Sequence, residues 1–350
     1  MTAPLFSIDG RPIGPGHPPY IIAEVSANHN GEINRAFQVI RAAKAAGADA
    51  VKFQTYTADT MTIDHDSAEF RIDEGPWAGQ TLYELYQSAA TPWEWHEALF
   101  AMAKEVGIAA FSTPFDETAV EFLKSLDVPA YKVASFEAID LPLIDCIART
   151  GKPVIISTGM ATAMEIDEAV TAARNAGCSE LALLHCVSAY PAEAEDYKLM
   201  SIPELLKRQN TIVGLSDHTI GMGVAVSAVT LGATIVEKHL TISRADGGPD
   251  SGFSSEPDEF KELCDTLGKI WVALEEKSDN PVQSEEANLM FRRSIYAISN
   301  ITAGEGLTRE NLRTIRPGYG LPPKEYGSLL GRKAKNTIKR GTPISWDLVE

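Results

Sequence analysis

The sequence predicts an α/β fold of the (β/α)8 TIM-barrel type, followed by a small separate carboxyl-terminal domain. Three observations carry this. Eight short apolar runs alternate with amphipathic helical stretches over roughly 260 residues, the arithmetic of such a barrel. No GxGxxG follows the first run, which disfavours the alternative, a doubly wound open sheet. From Asn280 the rhythm breaks into short β-like pieces punctuated by Gly and Pro.

Taken in order, strands are expected at Tyr20–Val25, Ala50–Phe53, Ala109–Ser112, Ala130–Ala134, Val154–Ser157, Leu181–Cys186, Ile212–Leu215 and Thr234–Val236. Helices are expected between them, at Ile33–Ala46, Trp93–Glu105, Glu117–Leu126, Pro142–Thr150, Ala163–Ala176, Ile202–Gln209 and Gly221–Leu231. Many close on Gly47, Gly107, Gly151, Gly177 or Asn210, residues that tolerate the left-handed backbone at a helix end. The interval Thr55 to Pro92 is too long for a tight loop and is rich in aromatic and acidic residues. It reads as a lid or substrate wall, with packing on the outer helices as the alternative.

NPVQSEEANLMF, from Asn280, reads as a polar connector. The expected division is residues 1–280 for the barrel, 281–291 for a linker and 292–350 for the second domain. At about sixty residues that domain is marginal alone and should lean on a barrel. Its strand candidates are Ser294–Ser299, Ala334–Thr337 and Thr342–Ile344.

Composition narrows the function. A net charge of −17 on 350 residues argues against non-specific contact with nucleic acid or an anionic membrane. An anionic substrate would therefore need a local positive site. No apolar run approaches the ~20 residues of a membrane span, and MTAPLFSIDG lacks a basic segment followed by an apolar one, so a cytoplasmic protein is expected. Cys146, Cys178, Cys186 and Cys264 are scattered with no CxxC, which fits reduced thiols.

Barrel chemistry sits where strands end. Those positions hold Glu24; Lys52 and Gln54; Ser112 and Thr113; Lys132, Ser135 and Glu137; Ser157 and Thr158; His185 and Ser188; Ser216, Asp217 and His218; Glu237, Lys238 and His239. Lys52 and Lys132, with hydroxyls from Thr113, Ser135, Ser157 and Ser216, would make an anion site of phosphate character. The alternative is that the lysines pair with Glu24 or Glu137 as structural ion pairs. Two successive strands run into histidines, so His218 and His239 should converge on a point that suits a divalent metal, with Asp217 and Glu237 alongside. Satisfied loop-edge histidines are the competing reading. Together these groups suggest a metal-assisted reaction on a phosphorylated compound.

The runs IAEVSANHNG, AGADAVKFQTYTADTMT, FSTPFD, PAYKVASFE, GKPVIISTGMA, LLHCVSAYP, VGLSDHT and VEKHL resemble, in this order and spacing, the sialic acid synthase family. Its members condense phosphoenolpyruvate with an N-acetylated amino sugar. IRPGYGLP and the SxxAxxxIxxGxxLTxxNL pattern from Ser294 resemble the antifreeze-like (SAF) domain of the same proteins. Within the family, FRIDEGPWAGQTLYELYQSAATPWEWH and SRADGGPDSGFSSEP look most like the pseudaminic acid synthase branch. The N-acetylneuraminic and legionaminic branches stand as alternatives.

The resemblance implies phosphoenolpyruvate contacts from Lys52, Thr113, Lys132, Ser135, Ser157, Ser188 and Ser216. Ser188 is a departure, since the family usually carries Asn there. It implies metal ligation by His218 and His239, with manganese ahead of magnesium or cobalt, and it places the open-chain acetamido sugar against Glu24, Gln54, Glu137, Tyr190 and Asp250. Arg316 matches an arginine that the antifreeze-like domain sets against the sugar's acyl group in the neighbouring subunit, implying a domain-swapped homodimer. Glu24, beside a metal and two lysines, is the candidate for proton transfer. The insertion offers Trp77, Tyr83, Tyr86, Trp93 and Trp95 as apolar surface, although Trp93 and Trp95 could simply cap the helix that follows. Two other classes stay in view: a Schiff-base aldolase using Lys132, and a non-catalytic carbohydrate- or ice-binding protein.

Overall fold

All eight expected strands form, and they close on themselves. In the computed structural model, which describes residues 6–274 and 282–350, the parallel barrel is built from β3 (Tyr20–Glu24), β4 (Ala50–Thr55), β5 (Ala109–Pro114), β6 (Tyr131–Val133), β7 (Val154–Ser157), β8 (Leu181–Cys186), β9 (Ile212–Asp217) and β10 (Ile235–His239). Each strand pairs with the next, and β10 closes onto β3 with His239 opposite Glu24. Four of these strands, β4, β5, β9 and β10, run two or more residues past their expected ends. The apolar pattern stops where site residues begin, whereas the hydrogen-bonded ladder continues through them.

Parity decides what the barrel encloses. Tyr20, Ile22, Ala50, Phe111, Ala130, Ile155, Ala182, Leu184, Ile212 and Ile235 point inward and pack as one apolar plug. Phe6, Ile8 and Ile13 join that plug from an amino-terminal hairpin, β1 (Ser7–Ile8) and β2 (Arg11–Pro12), which the strand pattern did not anticipate. Its signal was present as Asp9-Gly10, both at positive φ, the two-residue turn that favours a hairpin. The other face of each strand packs against the helical ring, where each fully buried aliphatic side chain contributes about 1.5–3 kcal/mol.

The ring includes α1 (Ile33–Ala46), α4 (His96–Val106), α5 (Glu117–Ser125), α6 (Leu141–Ala148), α7 (Ala163–Asn175), α8 (Ser201–Gln209) and α9 (Gly223–Thr230), close to expectation. It also includes α10 (Pro257–Leu274), which presents Phe260, Leu263, Cys264 and Leu267 to the core and was not among the expected elements. The Thr55–Pro92 interval is not bare loop. It holds two helices, α2 (Ala58–Met61) and α3 (Leu82–Ala89), each opened by a threonine capping box at Thr57 and Thr81. Among the described residues no helix is long and apolar enough to cross a membrane.

The chain divides into two compact units, Met1–Glu276 and Lys277–Glu350. In the second, β11 (Ser294–Ala297) pairs antiparallel with β12 (Leu312–Ile315) over a small core that includes Ile295, Ile301, Leu307, Leu312, Leu329 and Ile344. The expected strands at Ala334–Thr337 and Thr342–Ile344 survive only as single bridges, Ala334 to Val349 and Pro343 to Tyr296. Within the expected linker, residue 281 lies outside the described residues, as do 275–280 at the expected end of the barrel. Gln283–Phe291 winds as a 3-10 helix whose Met290 carbonyl accepts from Gly318 N, so this stretch belongs to the second unit rather than to a free connector.

Candidate active site

Above the apolar plug the inward positions turn polar, all at the carboxyl ends of the strands. Glu24, Lys52, Lys132, Ser157, Ser216 and Glu237 form this layer, every one of them buried. Lys52 Nζ lies 2.6 Å from Glu24 Oε2 and 3.8 Å from Glu237 Oε1, and it donates to Thr113 Oγ1 at 3.1 Å. Lys132 Nζ donates to Ser157 Oγ at 2.6 Å and to the Val133 carbonyl at 3.1 Å, with Glu237 Oε1 at 3.9 Å. Ser216 Oγ donates to the same carboxylate oxygen at 3.3 Å. Two ammonium groups ringed by hydroxyls thus occupy one enclosed layer, the donor set an oxyanion of phosphate type requires.

The two carboxylates that share Lys52 are driven apart in pKa. Burial pushes Glu24 up to about 7, against the pull of Lys52. Burial acts the same way on Glu237, but Lys132 and Lys52 outweigh it and hold that carboxyl below its ordinary range. Like charges beside one cation resolve in this manner, one group holding a proton near neutrality while the other stays ionised. Lys132 is pulled below the usual lysine range by burial, whereas for Lys52 burial is outweighed by Glu237 and Glu24, which raise it.

Ser135 and Ser188 meet at Gly159, whose N–H donates to Ser135 Oγ at 3.2 Å. A Cβ at Gly159 would come within 2.4 Å of Ser188 Oγ and 2.8 Å of Ser135 Oγ, so only glycine leaves this hydroxyl pair open. Ser188 also lies 4.0 Å from Cys186 Sγ, the inward residue at the end of β8. The structure therefore brings Ser188 together with Ser135 and Cys186.

His218 and His239 do converge, with ring centroids 5.4 Å apart. His218 Nδ1 sits 2.8 Å from the Val187 carbonyl, to which it donates, so Nε2 is the nitrogen left to face a ligand. His239 is buried with Nδ1 unpartnered, and burial followed by His218 holds its pKa well below the normal value, so the ring is neutral. Two imidazoles side by side, one anchored by a backbone carbonyl, make a donor set that fits a divalent ion. Among the described residues no group of three or more His, Cys, Asp or Glu forms a full ligand set. Asp217, expected beside the histidines, instead faces outward and pairs with Lys238 at 2.8 Å.

Beside this layer opens a cavity of about 330 Å³. Gln54, Glu137, His239 and Asp250 supply its polar wall. Gln54 Nε2 donates to Glu24 Oε1 and to Ser26 Oγ, both at 2.9 Å, which ties the cavity to the lysine layer. Burial raises Asp250 and pushes Glu137 up to about 7, and one Glu137 oxygen has no partner. The opposite wall is apolar, with Tyr56, Trp77, Tyr86, Phe115, Phe136 and Tyr190. Tyr190 packs 4.5 Å from the His218 ring and 5.2 Å from Phe253.

Several polar strand ends point the other way. Ser112 lies 2.7 Å from Thr55 Oγ1, His185 Nε2 donates to the Tyr197 carbonyl, and Lys238 pairs with Asp217. All serve the barrel wall. Of the insertion's aromatics, Trp77 and Tyr86 line the cavity. Tyr83 instead reaches Asp59, Trp93 stacks on Phe122 at 4.8 Å, and Trp95 meets His29 edge-on. Ser26, Tyr56, Phe115 and Phe136 were not singled out beforehand. Glu237, expected alongside the histidines, does share the inward face of its strand with His239, and its carboxylate lies between the two lysines. Arg316 lies exposed in the second unit, preceding a cis peptide to Pro317.

Comparison with known proteins agrees with this fold. The NeuB family model matches residues 39–279 and the SAF domain model residues 292–350. A pseudaminic acid synthase of Helicobacter pylori is 44% identical over 335 residues, covering 95% of this chain and 98% of that protein. An N,N'-diacetyllegionaminic acid synthase of Legionella pneumophila is 35% identical, covering 97% of each. The crystal structure of an N-acetylneuraminic acid synthetase from Leptospira borgpetersenii superposes with a TM-score of 0.73 at 31% identity, over 82% of this chain and 95% of that one. A closed barrel with this lysine and histidine layer, joined to a SAF domain and matched along its length, belongs to the NeuB family, the sialic acid synthases.

Proposed function

We propose that this protein is a pseudaminic acid synthase, joining phosphoenolpyruvate to 2,4-diacetamido-2,4,6-trideoxy-altrose with release of phosphate. The observation that carries the reading is a pair of wholly buried lysines adjoining an aromatic-walled cavity, in a chain 44% identical to a Helicobacter pylori protein of that activity. A 6-deoxy, 4-acetamido sugar exchanges two hydroxyls for a methyl and an acetamido group. The apolar wall of Tyr56, Tyr86, Phe115 and Phe136 suits that exchange better than it suits a hexose.

Each residue then has a role. Lys52 and Lys132, with Thr113, Ser135, Ser157, Ser188 and Ser216, bind the phosphate and carboxylate of phosphoenolpyruvate. Gln54, Glu137, Tyr190 and Asp250 orient the open-chain sugar. C3 of the enolpyruvate supplies its π electrons to the aldehyde carbon, and C2 takes up positive charge beside the ionised Glu237. Water adds at C2 and loses a proton, the alkoxide from the aldehyde gains one, and as the C2–O bond to phosphate breaks the C2 hydroxyl passes its remaining proton to the departing phosphate, leaving the ketone. Glu24, at about 7, can hold and return the proton that passes between them. His218 and His239 would hold a divalent ion, manganese ahead of magnesium or cobalt, and when bound it supplies Lewis-acid polarisation of the sugar's carbonyl oxygen.

The reading extends to assembly in the cytoplasm as a homodimer in which each SAF domain serves its partner's barrel. Exposed Leu289, Met290, Phe291 and Tyr319, together with Arg316, give that domain a surface suited to such a role.

The test is phosphate release with three sugars assayed side by side. The altrose-configured substrate should be turned over at least ~100-fold more efficiently than N-acetylmannosamine, about 2.7 kcal/mol of discrimination. Preference for N-acetylmannosamine, or for the mannose-configured diacetamido sugar, would overturn the assignment. A borohydride-trapped adduct at Lys132 would instead favour the Schiff-base aldolase.

A further inference from the structure

Between α2 and α3 the chain folds back on itself as a flap. Arg71 bridges antiparallel to Thr81, Ile72 N donates to the Gln80 carbonyl at 3.0 Å, and Gly79 N donates to the Ile72 carbonyl at 2.9 Å. These bonds are internal to the flap. Among the described residues, one hydrogen bond ties residues 66–80 to a distant part of the barrel: Trp77 Nε1–H donates to the Pro249 carbonyl at 2.9 Å. The same indole lies 5.6 Å from the Tyr190 ring and lines the cavity, although it is only half-buried.

The loop that receives the indole is held by other means. Asn28 Nδ2 donates to the Leu240 carbonyl at 3.1 Å and to Ser254 Oγ at 2.9 Å, and Asn30 Nδ2 donates to the Gly247 carbonyl at 2.8 Å. Ala27 N donates to Asp250 Oδ2 at 3.3 Å. Pro249 therefore sits on a loop fastened to the segment after β3. The flap, by contrast, is fastened by one indole. A residue serving only stability would sit in the core, whereas this one stands at the mouth of the sugar cavity.

We infer that Trp77 is a specificity-determining latch: its N–H closes the flap onto Pro249, and its ring face packs on the apolar end of the acceptor sugar. This rests on the synthase reading above and adds to it the residue that covers the substrate. Closure by one neutral hydrogen bond is readily reversed, which lets sugar enter and product leave through the same mouth. Apolar contact from the indole face rewards a methyl or acetamido group where a hexose carries hydroxyls.

The experiment uses the full-length wild type, Trp77→Phe and Trp77→Ala, varying each substrate in turn. Trp77→Ala should raise KM for the diacetamido sugar at least tenfold while KM for phosphoenolpyruvate stays within about twofold. Trp77→Phe, keeping a ring face without the N–H donor, should fall between the two. The sugar should perturb tryptophan fluorescence in the wild type, and that change should vanish in Trp77→Phe. Unaltered sugar KM in Trp77→Ala, equal changes in both KM values, or a fluorescence change that persists in Trp77→Phe would overturn the latch. Wild-type turnover of the diacetamido sugar is the control: its absence overturns the substrate assignment, and the latch with it, whereas a normal wild type beside an unaffected Trp77→Ala overturns the latch alone.

Discussion

Glu24 and Lys52 stand opposite one another on adjacent strands, 2.6 Å apart, and the carboxyl is nevertheless raised to about 7. Neither side chain reaches solvent, so the cost of desolvating Glu24 exceeds what one shared ammonium returns. Lys52 also faces Glu237 at 3.8 Å, so its charge is shared between two carboxylates. On the proposed reading this pair opens to admit the anion; as a purely structural pair it would stay closed, and kinetics separate the two.

The first prediction follows directly. Lys52→Ala and Lys132→Ala should each raise KM for phosphoenolpyruvate by about 10–100-fold, the worth of a charged hydrogen bond of about 1.5–3 kcal/mol. KM for the sugar should change far less. Comparable rises for both substrates would argue that the lysines are structural.

A second prediction concerns His218 and His239, whose rings lie 5.4 Å apart with His239 Nδ1 unpartnered. The wild type should bind a divalent ion after chelation and readdition of manganese, measured as metal content of the purified protein. His218→Ala or His239→Ala should lose that binding with an unchanged circular dichroism spectrum, and activity with it. Full metal content in either variant would remove both residues from the site.

The eight strands were legible because they are short aliphatic runs, most of them preceded by a helix-closing Gly or Asn, and the barrel followed from their number. Most of the lysine layer was legible for the same reason, since chemistry in this architecture gathers at strand ends. What the linear pattern left undecided was direction. Ser112, His185, Asp217 and Lys238 occupy the same strand ends as the inward residues, yet they bond Thr55, Tyr197 and one another in the barrel wall. A period of two along each strand separates them once one inward residue is known. The cavity's aromatic wall was harder to foresee, because Tyr56, Phe115, Phe136 and Tyr190 come from four different loops and only closure of the barrel collects them.

The third prediction is a pH dependence of stability. Burial raises the Glu137 carboxyl from 4.5 to about 7 in the folded protein. Its contribution to stability is thus fully present below about 4.5 and is lost as pH rises through 7, where a half-buried charge must be carried. Glu137→Gln removes that burden. Urea denaturation should show the variant matching the wild type at pH 4.5 and exceeding it at pH 8 by on the order of 1 kcal/mol, a figure discounted for partial exposure. A constant difference at both pH values would mean the carboxyl does not titrate in this window.

The last prediction addresses assembly, and it needs no truncation. Arg316 lies exposed in the SAF domain, and Glu24 lies at the heart of the barrel. If each SAF domain serves its partner's barrel, full-length Arg316→Ala and full-length Glu24→Ala should be nearly inactive alone and active when mixed and allowed to exchange subunits. In a hybrid dimer, the barrel of the Arg316→Ala chain keeps Glu24 and receives Arg316 from the Glu24→Ala chain. The other barrel lacks both. Random exchange at equal amounts makes about half of the dimers hybrid with one complete site each, so about a quarter of wild-type activity should return. Should each domain serve its own barrel, every site in the hybrid lacks one group, and mixing restores nothing. Hybrid dimers demonstrated by mass spectrometry but without regained phosphate release would therefore decide for service within one chain.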